Sequence, residues 1–182
     1  GYLTYDFDTC TVHIPNQEVQ KEFINCIEDG GWEPVMDAIR KSEELLAATI
    51  RGEEETVARM IENAHQENTS ILAYNDENSL SCTISLAFYF AREYYTMIRE
   101  LPTGKGFADI CLIPRKIHMD KPAVIIELKW DKSASGAIAQ IKEKKYIDAL
   151  SEYQGNLLLT GINYDKKIKK HTCLIEKVDY KK

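Results

Sequence analysis

The chain is 182 residues long, 44% hydrophobic, with a formal net charge of -6, so it can bury a real core as one domain or as two small ones. No run approaches the roughly 20 apolar residues of a membrane-spanning helix, and no secretory signal is visible; the start at Gly1 rather than Met fits a segment of a longer protein. Cys10, Cys26, Cys82, Cys111 and Cys173 are odd in number with no CxxC pair, which argues against a zinc site or disulfide framework and for reduced thiols in the cytoplasm.

In chain order, Tyr2 to Phe7 alternates, turns at Asp8-Thr9 and resumes from Thr11 to Ile14, predicting a small β-hairpin. A helix is expected from about Gln17 to Glu28, with Val19, Phe23 and Ile27 at helical spacing and Gly30-Gly31 ending it. A second, from about Trp32 to Ile50, carries Val35, Ile39, Leu45, Leu46 and Ile50, and Gly52 breaks it. A third, from about Glu53 to Gln66, presents Val57, Met60, Ile61 and Ala64, with acids at its start that suit the helix dipole. Asn75 or Asp76 then caps a longer helix reaching about Tyr95, with Leu80, Ile84, Ala87, Phe88 and Ala91 inward.

Strands are predicted at about 95–100, 107–113 and 123–130. A helix follows from Ala134 to Leu150, with Ile138, Ile141 and Ala149 inward. Asn156 to Ile162 and His171 to Glu176 form a last hairpin turned at Asp165-Lys166-Lys167. From Asp76 the order is α-β-β-β-α-β-β, which separates a hairpin and helical part, 1–75, from a mixed α/β part, 76–182.

The most informative segment is Ala123-Val124-Ile125-Ile126, which closes on Glu127-Leu128-Lys129. Strand alternation places Ile125, Glu127 and Lys129 on one face. Unpaired buried charge is costly, so such an ending calls for solvent or for chemistry. The preceding run, Phe107 to Ile113, carries one acid, Asp109. If the two runs pair antiparallel with Ile113 opposite Ala123, the paired numbers sum to 236 and Asp109 faces Glu127. Directly opposed Cβ atoms lie about 5 Å apart. Two carboxylates that close repel each other, and a bound divalent cation beside a lysine would relieve them.

Charge is unevenly spread. Residues 1–98 hold 6 Lys and Arg against 18 Asp and Glu, whereas residues 99–182 hold 17 against 11. The basic half could face a polyanion. A solvated lysine surface explains the same count, and Lys166, Lys167, Lys169 and Lys170 fall in or beside the last turn. His13, His65, His118 and His171 show no metal-ligand spacing.

The residues resemble the PD-(D/E)XK nuclease superfamily, in particular the domain found behind AAA-ATPase-like regions in bacterial and archaeal proteins. The likeness runs through Gly104-Lys-Gly-Phe-Ala-Asp109-Ile-Cys-Leu-Ile-Pro114 and Pro122-Ala-Val-Ile-Ile-Glu127-Leu-Lys129-Trp130. It continues through Ala137-Ile-Ala-Gln140-Ile-Lys-Glu-Lys144-Lys-Tyr146 and Gly155-Asn-Leu-Leu-Leu-Thr-Gly161-Ile-Asn-Tyr164. Gly1-Tyr2-Leu3-Thr4 and Pro15-Asn16-Gln17-Glu18-Val19 resemble the segment joining ATPase and nuclease regions. An isolated D…ExK is common; at matching strand positions and followed by a helix bearing Gln140 it is far more specific.

The resemblance implies a restriction-endonuclease-like α/β (α+β) core, a central mixed sheet flanked by helices, preceded by a small hairpin and a helical subdomain. It implies cleavage of phosphodiester bonds in DNA, with RNA left open, using Mg2+ or Mn2+. By position, Asp109 and Glu127 become metal ligands with the Leu128 carbonyl as a third, and Lys129 orients or helps deprotonate the attacking water. Glu77 matches the upstream acid of the family, with Glu93 and Glu100 as weaker stand-ins. An acid in a first helical turn is also favourable by about 0.3–1 kcal/mol with no metal at all. Gln140 and Lys144, one turn apart, could both face the site. An edge-strand charge cluster or salt bridge would account for Asp109, Glu127 and Lys129 without chemistry. Phe107 stands where relatives often have arginine. The competing functions are a catalytically inactive descendant of the fold serving as a nucleic-acid- or protein-binding module, and an interaction domain docking an ATPase or another protein through the acidic first half. Oligomeric state and pathway are not legible.

Overall fold

The computed structural model describes residues 3–6, 10–22, 33–68, 77–103, 106–144, 146, 150 and 156–178. The chain divides into two compact units, Gly1–Ala38 and Ile39–Lys182. In the first, β1 (Thr4–Asp6) pairs antiparallel with β2 (Thr11–His13), Thr4 opposite His13, as the alternation predicts. Helix α1 is helical over 17–22, and Asn16 Oδ1 accepts from Val19 N at 2.9 Å, the bond of an N-cap. The rest of that expected helix, and the caps expected at Asn75 or Asp76, lie outside the described residues. Helix α2 spans Glu33–Arg51.

The second unit holds a five-stranded sheet in the order β3 (Tyr95–Thr103), β4 (Gly106–Pro114), β5 (Ala123–Trp130), β6 (Leu157–Asp165), β7 (Lys170–Val178). Short connections make β3–β4, β4–β5 and β6–β7 antiparallel, and β5 and β6 run parallel across a helical crossover. The β4–β5 register is the expected one: Ile110, Cys111 and Leu112 face Ile126, Ile125 and Val124, each pair summing to 236. As the middle strand, β5 is buried from Ala123 through Lys129, which is why its sequence is nearly unbroken apolar.

Helices cover both faces. Val124, Ile126 and Leu128 pack with Ile110, Leu112, Leu158 and Ile162 under Leu45 and Leu46 of α2, Val57 and Ile61 of α3 (Glu54–Asn68) and Leu80 and Ile84 of α4 (Glu77–Ala87). The opposite face, with Cys111, Ala123, Ile125, Leu157 and Leu159, packs on Ile138 and Ile141 of α5 (Ala134–Glu143) and on Tyr146 and Leu150. Each such apolar side chain contributes about 1.5–3 kcal/mol on burial.

Three helical expectations are corrected. The helix expected to reach Tyr95 ends at Ala87 and tightens into a 3-10 turn, Tyr89–Glu93. The inward set survives, because Phe88 and Ala91 stay fully buried, and Ser42 Oγ accepts from Phe90 N at 2.8 Å to satisfy the turn. Helix α5 stops at Glu143 instead of Leu150, and Tyr146, beyond its end, is wholly buried. In α2, Val35 is 45% exposed, so the apolar stripe of that helix buries only its later part.

Among the described residues no helix is long and apolar enough to cross a membrane, and Cys82, Cys111 and Cys173 form no disulfide.

Candidate active site

The site is built around β5. Glu127 is 1% exposed and Lys129 7%. They lie on the face covered by α5, since Val124, Ile126 and Leu128 go to the other core cluster. Lys129 Nζ donates to Glu127 Oε1 at 2.9 Å, so the buried acid and the buried amine answer each other. Gln140 Nε2 donates to the same Oε1. Glu127 Oε2 is also buried and has no hydrogen-bond partner among the described residues. Burial, followed by the neighbouring Asp109 charge, pushes the Glu127 carboxyl up to about 7, against the pull of Lys129.

Asp109 comes from β4 and is half-buried. The β4–β5 ladder ends at Ile110 and Ile126, one step short of it. There the Asp109 side chain takes over a backbone role, Oδ2 accepting from Leu128 N at 2.7 Å. Burial raises its carboxyl above the ordinary aspartate value; the Leu128 bond and the Lys129 charge oppose that rise, and the Glu77 charge adds to it.

The neighbouring β3–β4 pairing changes face at the same level. Met97, Ile110 and Leu112 belong to the core under α2, α3 and α4, yet Leu101 and Ala108 belong to the core under α5. Between them Glu100, opposite Asp109, drops out of the ladder and adopts a left-handed φ of 53°. A non-glycine residue held there is strained, as is common beside functional sites.

Helix α5 is placed by two small-residue features. Ser133 Oγ caps its start, accepting from Gly136 N at 3.0 Å. Gly161 of β6, in register with Glu127, lies directly beneath its first turn: an added Cβ there would meet Ala134 O at 2.3 Å. This close seat brings Gln140 onto Glu127, and Gln140 Nε2 also reaches the Tyr146 hydroxyl at 3.4 Å. Lys144 follows at the helix end, and its charge lowers both site carboxyls.

The structure thus brings together Asp109, Glu127, Leu128, Lys129 and Gln140. Glu77 is exposed on the first turn of α4, near enough for its charge to act on Asp109. Among the described residues no group of three or more His, Cys, Asp or Glu gathers as metal ligands. Glu93 and Glu100 are exposed. Phe107 is 60% exposed, opposite Pro102. Sequence reasoning missed Tyr146, Gly106 and Gly161. An isolated glycine inside an apolar strand signals close backbone approach, so Gly161 could have been found; Tyr146 follows Gln140 by six residues and shares no helical spacing with it.

No curated protein matches the chain. A family model described as the PD-(D/E)XK nuclease superfamily matches residues 75–173, more than half of the chain, and that span includes all the residues gathered above. With its five-stranded mixed sheet flanked by helices and its acid, acid and lysine on adjacent strands, the chain belongs to the PD-(D/E)XK nuclease superfamily.

Proposed function

We propose that this domain is a divalent-metal-dependent nuclease that hydrolyses phosphodiester bonds of DNA, and that it works within a longer, ATPase-linked protein. The observation that carries the reading is Glu127 Oε2, a buried carboxylate oxygen with no partner among the described residues, beside a second carboxylate on the adjacent strand. A buried acceptor left unmet costs about 1–3 kcal/mol, more when charged, so a cation is the partner the pocket lacks.

The donor set fits Mg2+ or Mn2+. Both favour hard oxygen ligands, and Mg2+ keeps several waters, so two protein carboxylates plus substrate phosphate suffice. Asp109, Glu127 and the Leu128 carbonyl would hold the ion, with Glu77 an outer contributor through its charge. The ion would supply neutralisation of phosphoryl charge and a lowered pKa for water.

The protein side of the chemistry follows from the geometry. Leu128 N fixes Asp109 Oδ2, and the other Asp109 oxygen would be the one to meet the ion. Gln140 and Lys129 both hold Glu127 Oε1, and Oε2 is the oxygen that would meet the ion. Lys129 Nζ, as an ammonium with three donors and no acceptor, orients the water that attacks phosphorus. As the new phosphorus–oxygen bond forms, the water gives up a proton to solvent, the phosphorus–oxygen bond to the leaving sugar breaks, and the departing oxygen takes up a proton from solvent. Residues 76–182 carry this chemistry, residues 1–75 precede it as a hairpin and helical part, and the basic balance of 99–182 favours a polyanion.

The test is cleavage of plasmid and oligonucleotide DNA with Mg2+ or Mn2+ by the parent and by Asp109→Ala, Glu127→Ala and Lys129→Ala. Each variant should fall by about a hundredfold or more, the range seen for lost charge-stabilising groups, with unchanged circular dichroism. Variants that cut as well as the parent would overturn the roles. A parent that binds DNA without cutting it under either metal would favour the inactive-module reading.

A further inference from the structure

Lys129 accounts for one of the two amines that bear on the acids; the other, Lys144, has no assigned work. It stands at the end of α5, its backbone N bonded to Gln140 O at 3.0 Å, and is half-buried. Its stem crosses the backbone of Gly106 at the start of β4: a Cβ built on that glycine would lie 3.2 Å from Lys144 Cδ and 3.3 Å from Nζ. The same Cβ would lie 3.3 Å from the Tyr146 hydroxyl, and Nζ stands 5.9 Å from the Tyr146 ring centre. Gly106, Lys144 and the Gln140–Tyr146 pair therefore form one packed corner, three residues upstream of Asp109.

Among the described residues no carboxylate lies within ion-pair distance of Lys144, in contrast to Lys41, Lys129, Lys142 and Lys166. An ammonium has donors and no lone pair, so it cannot ligate a metal. Two acids and two amines leave the pocket near neutral. A divalent cation would make it positive, and the compensating charge must come from a ligand. A lysine held at the rim with an open donor suits a phosphate oxygen.

We propose that Lys144 is a substrate-positioning residue that binds a phosphate of the nucleic-acid backbone at the rim of the site, held in place by the absence of a side chain at Gly106. The inference rests on the nuclease reading for its substrate, and binding and cleavage test the two separately. Binding is read by fluorescence anisotropy of a labelled DNA duplex with Ca2+ over a salt series, and cleavage by steady-state kinetics with Mg2+.

Lys144→Gln should weaken binding and raise KM by about tenfold, with kcat within about threefold of the parent. The slope of log affinity against log salt should shrink by about 0.9, the value of one phosphate contact. Lys144→Arg should restore the slope, Gly106→Ala should reproduce the loss with Lys144 intact, and Lys41→Gln, on the helix that covers the opposite face of the sheet, should change neither. An unchanged salt slope in Lys144→Gln overturns the proposal, as does a fall in kcat at constant KM. If the parent binds DNA but never cuts it, the nuclease reading fails; a slope lost in Lys144→Gln would still uphold the phosphate contact. A parent that does not bind nucleic acid removes both.

Discussion

Gly161→Ala tests whether α5 is seated on β6 as closely as the site requires. The added Cβ would fall 2.3 Å from Ala134 O and 3.0 Å from the Ala137 Cβ. Backbone cannot swing aside as a side-chain end can, so the start of α5 must lift by about 1 Å to reach ordinary van der Waals distance. Overpacking of this kind costs about 1–3 kcal/mol, and the helix that lifts is the one carrying Gln140 onto Glu127. Gly52→Ala is the control: its φ of 74° makes alanine strained, but nothing lies within 4 Å of the new Cβ. That variant should lose about 1–2 kcal/mol from the left-handed conformation alone and leave the site intact. Urea unfolding of both proteins gives the cost, and cleavage rate gives the effect on the site. A Gly161→Ala protein within about 0.5 kcal/mol of the parent and equally active would refute the argument that this glycine sets the helix.

His171 in β7 lies against Tyr164 and His65, ring centres 4.8 Å and 5.4 Å away, and burial, aided by the His65 charge, pushes its pKa down to about 4. The unfolded chain therefore binds the extra proton between pH 6.5 and about 4. Stability should drop as pH falls through that window, by about 1.4 kcal/mol per unit and about 3 kcal/mol in all. Glu127, raised to about 7, works in the opposite sense, so the quantity to follow is the difference between parent and His171→Phe, and a pH-independent difference would contradict the assignment. Ser133→Ala removes the α5 cap and should cost about 1 kcal/mol in urea unfolding, restored by Ser133→Asp. Gln140→Ala leaves Glu127 Oε1 its Lys129 bond, so stability should fall by only about 1 kcal/mol while cleavage falls much further; equal activity would remove Gln140 from the site.

Much of the site was legible because its signals are local. The run Ala123 to Lys129 needs only period-two alternation to place Glu127 and Lys129 together, and the turn between Pro114 and Pro122 implies the β4–β5 register found. Asp109 lies beside the expected strand, near enough for its charge to raise the Glu127 carboxyl. The ladder stops before it, and its carboxylate bonds Leu128 N. That depends on the face change at Glu100, a glutamate in a left-handed conformation that no propensity signals. The end of α5 was equally hidden. The nearest glycine after Glu143 is Gly155, too far on to mark the helix end, and Tyr146, just beyond that end, is wholly buried. Salt bridge and catalytic pair, posed as alternatives for Glu127 and Lys129, are compatible, since the pair that is bonded here also leaves one oxygen unmet.

On the proposed reading, Asp109 and Glu127 together hold a divalent cation. Isothermal titration of Mn2+ and Mg2+ into the parent and into Asp109→Ala and Glu127→Ala tests it without any substrate. The parent should show saturable uptake that each substitution abolishes. A parent that takes up neither ion, or variants that bind as the parent does, would contradict it.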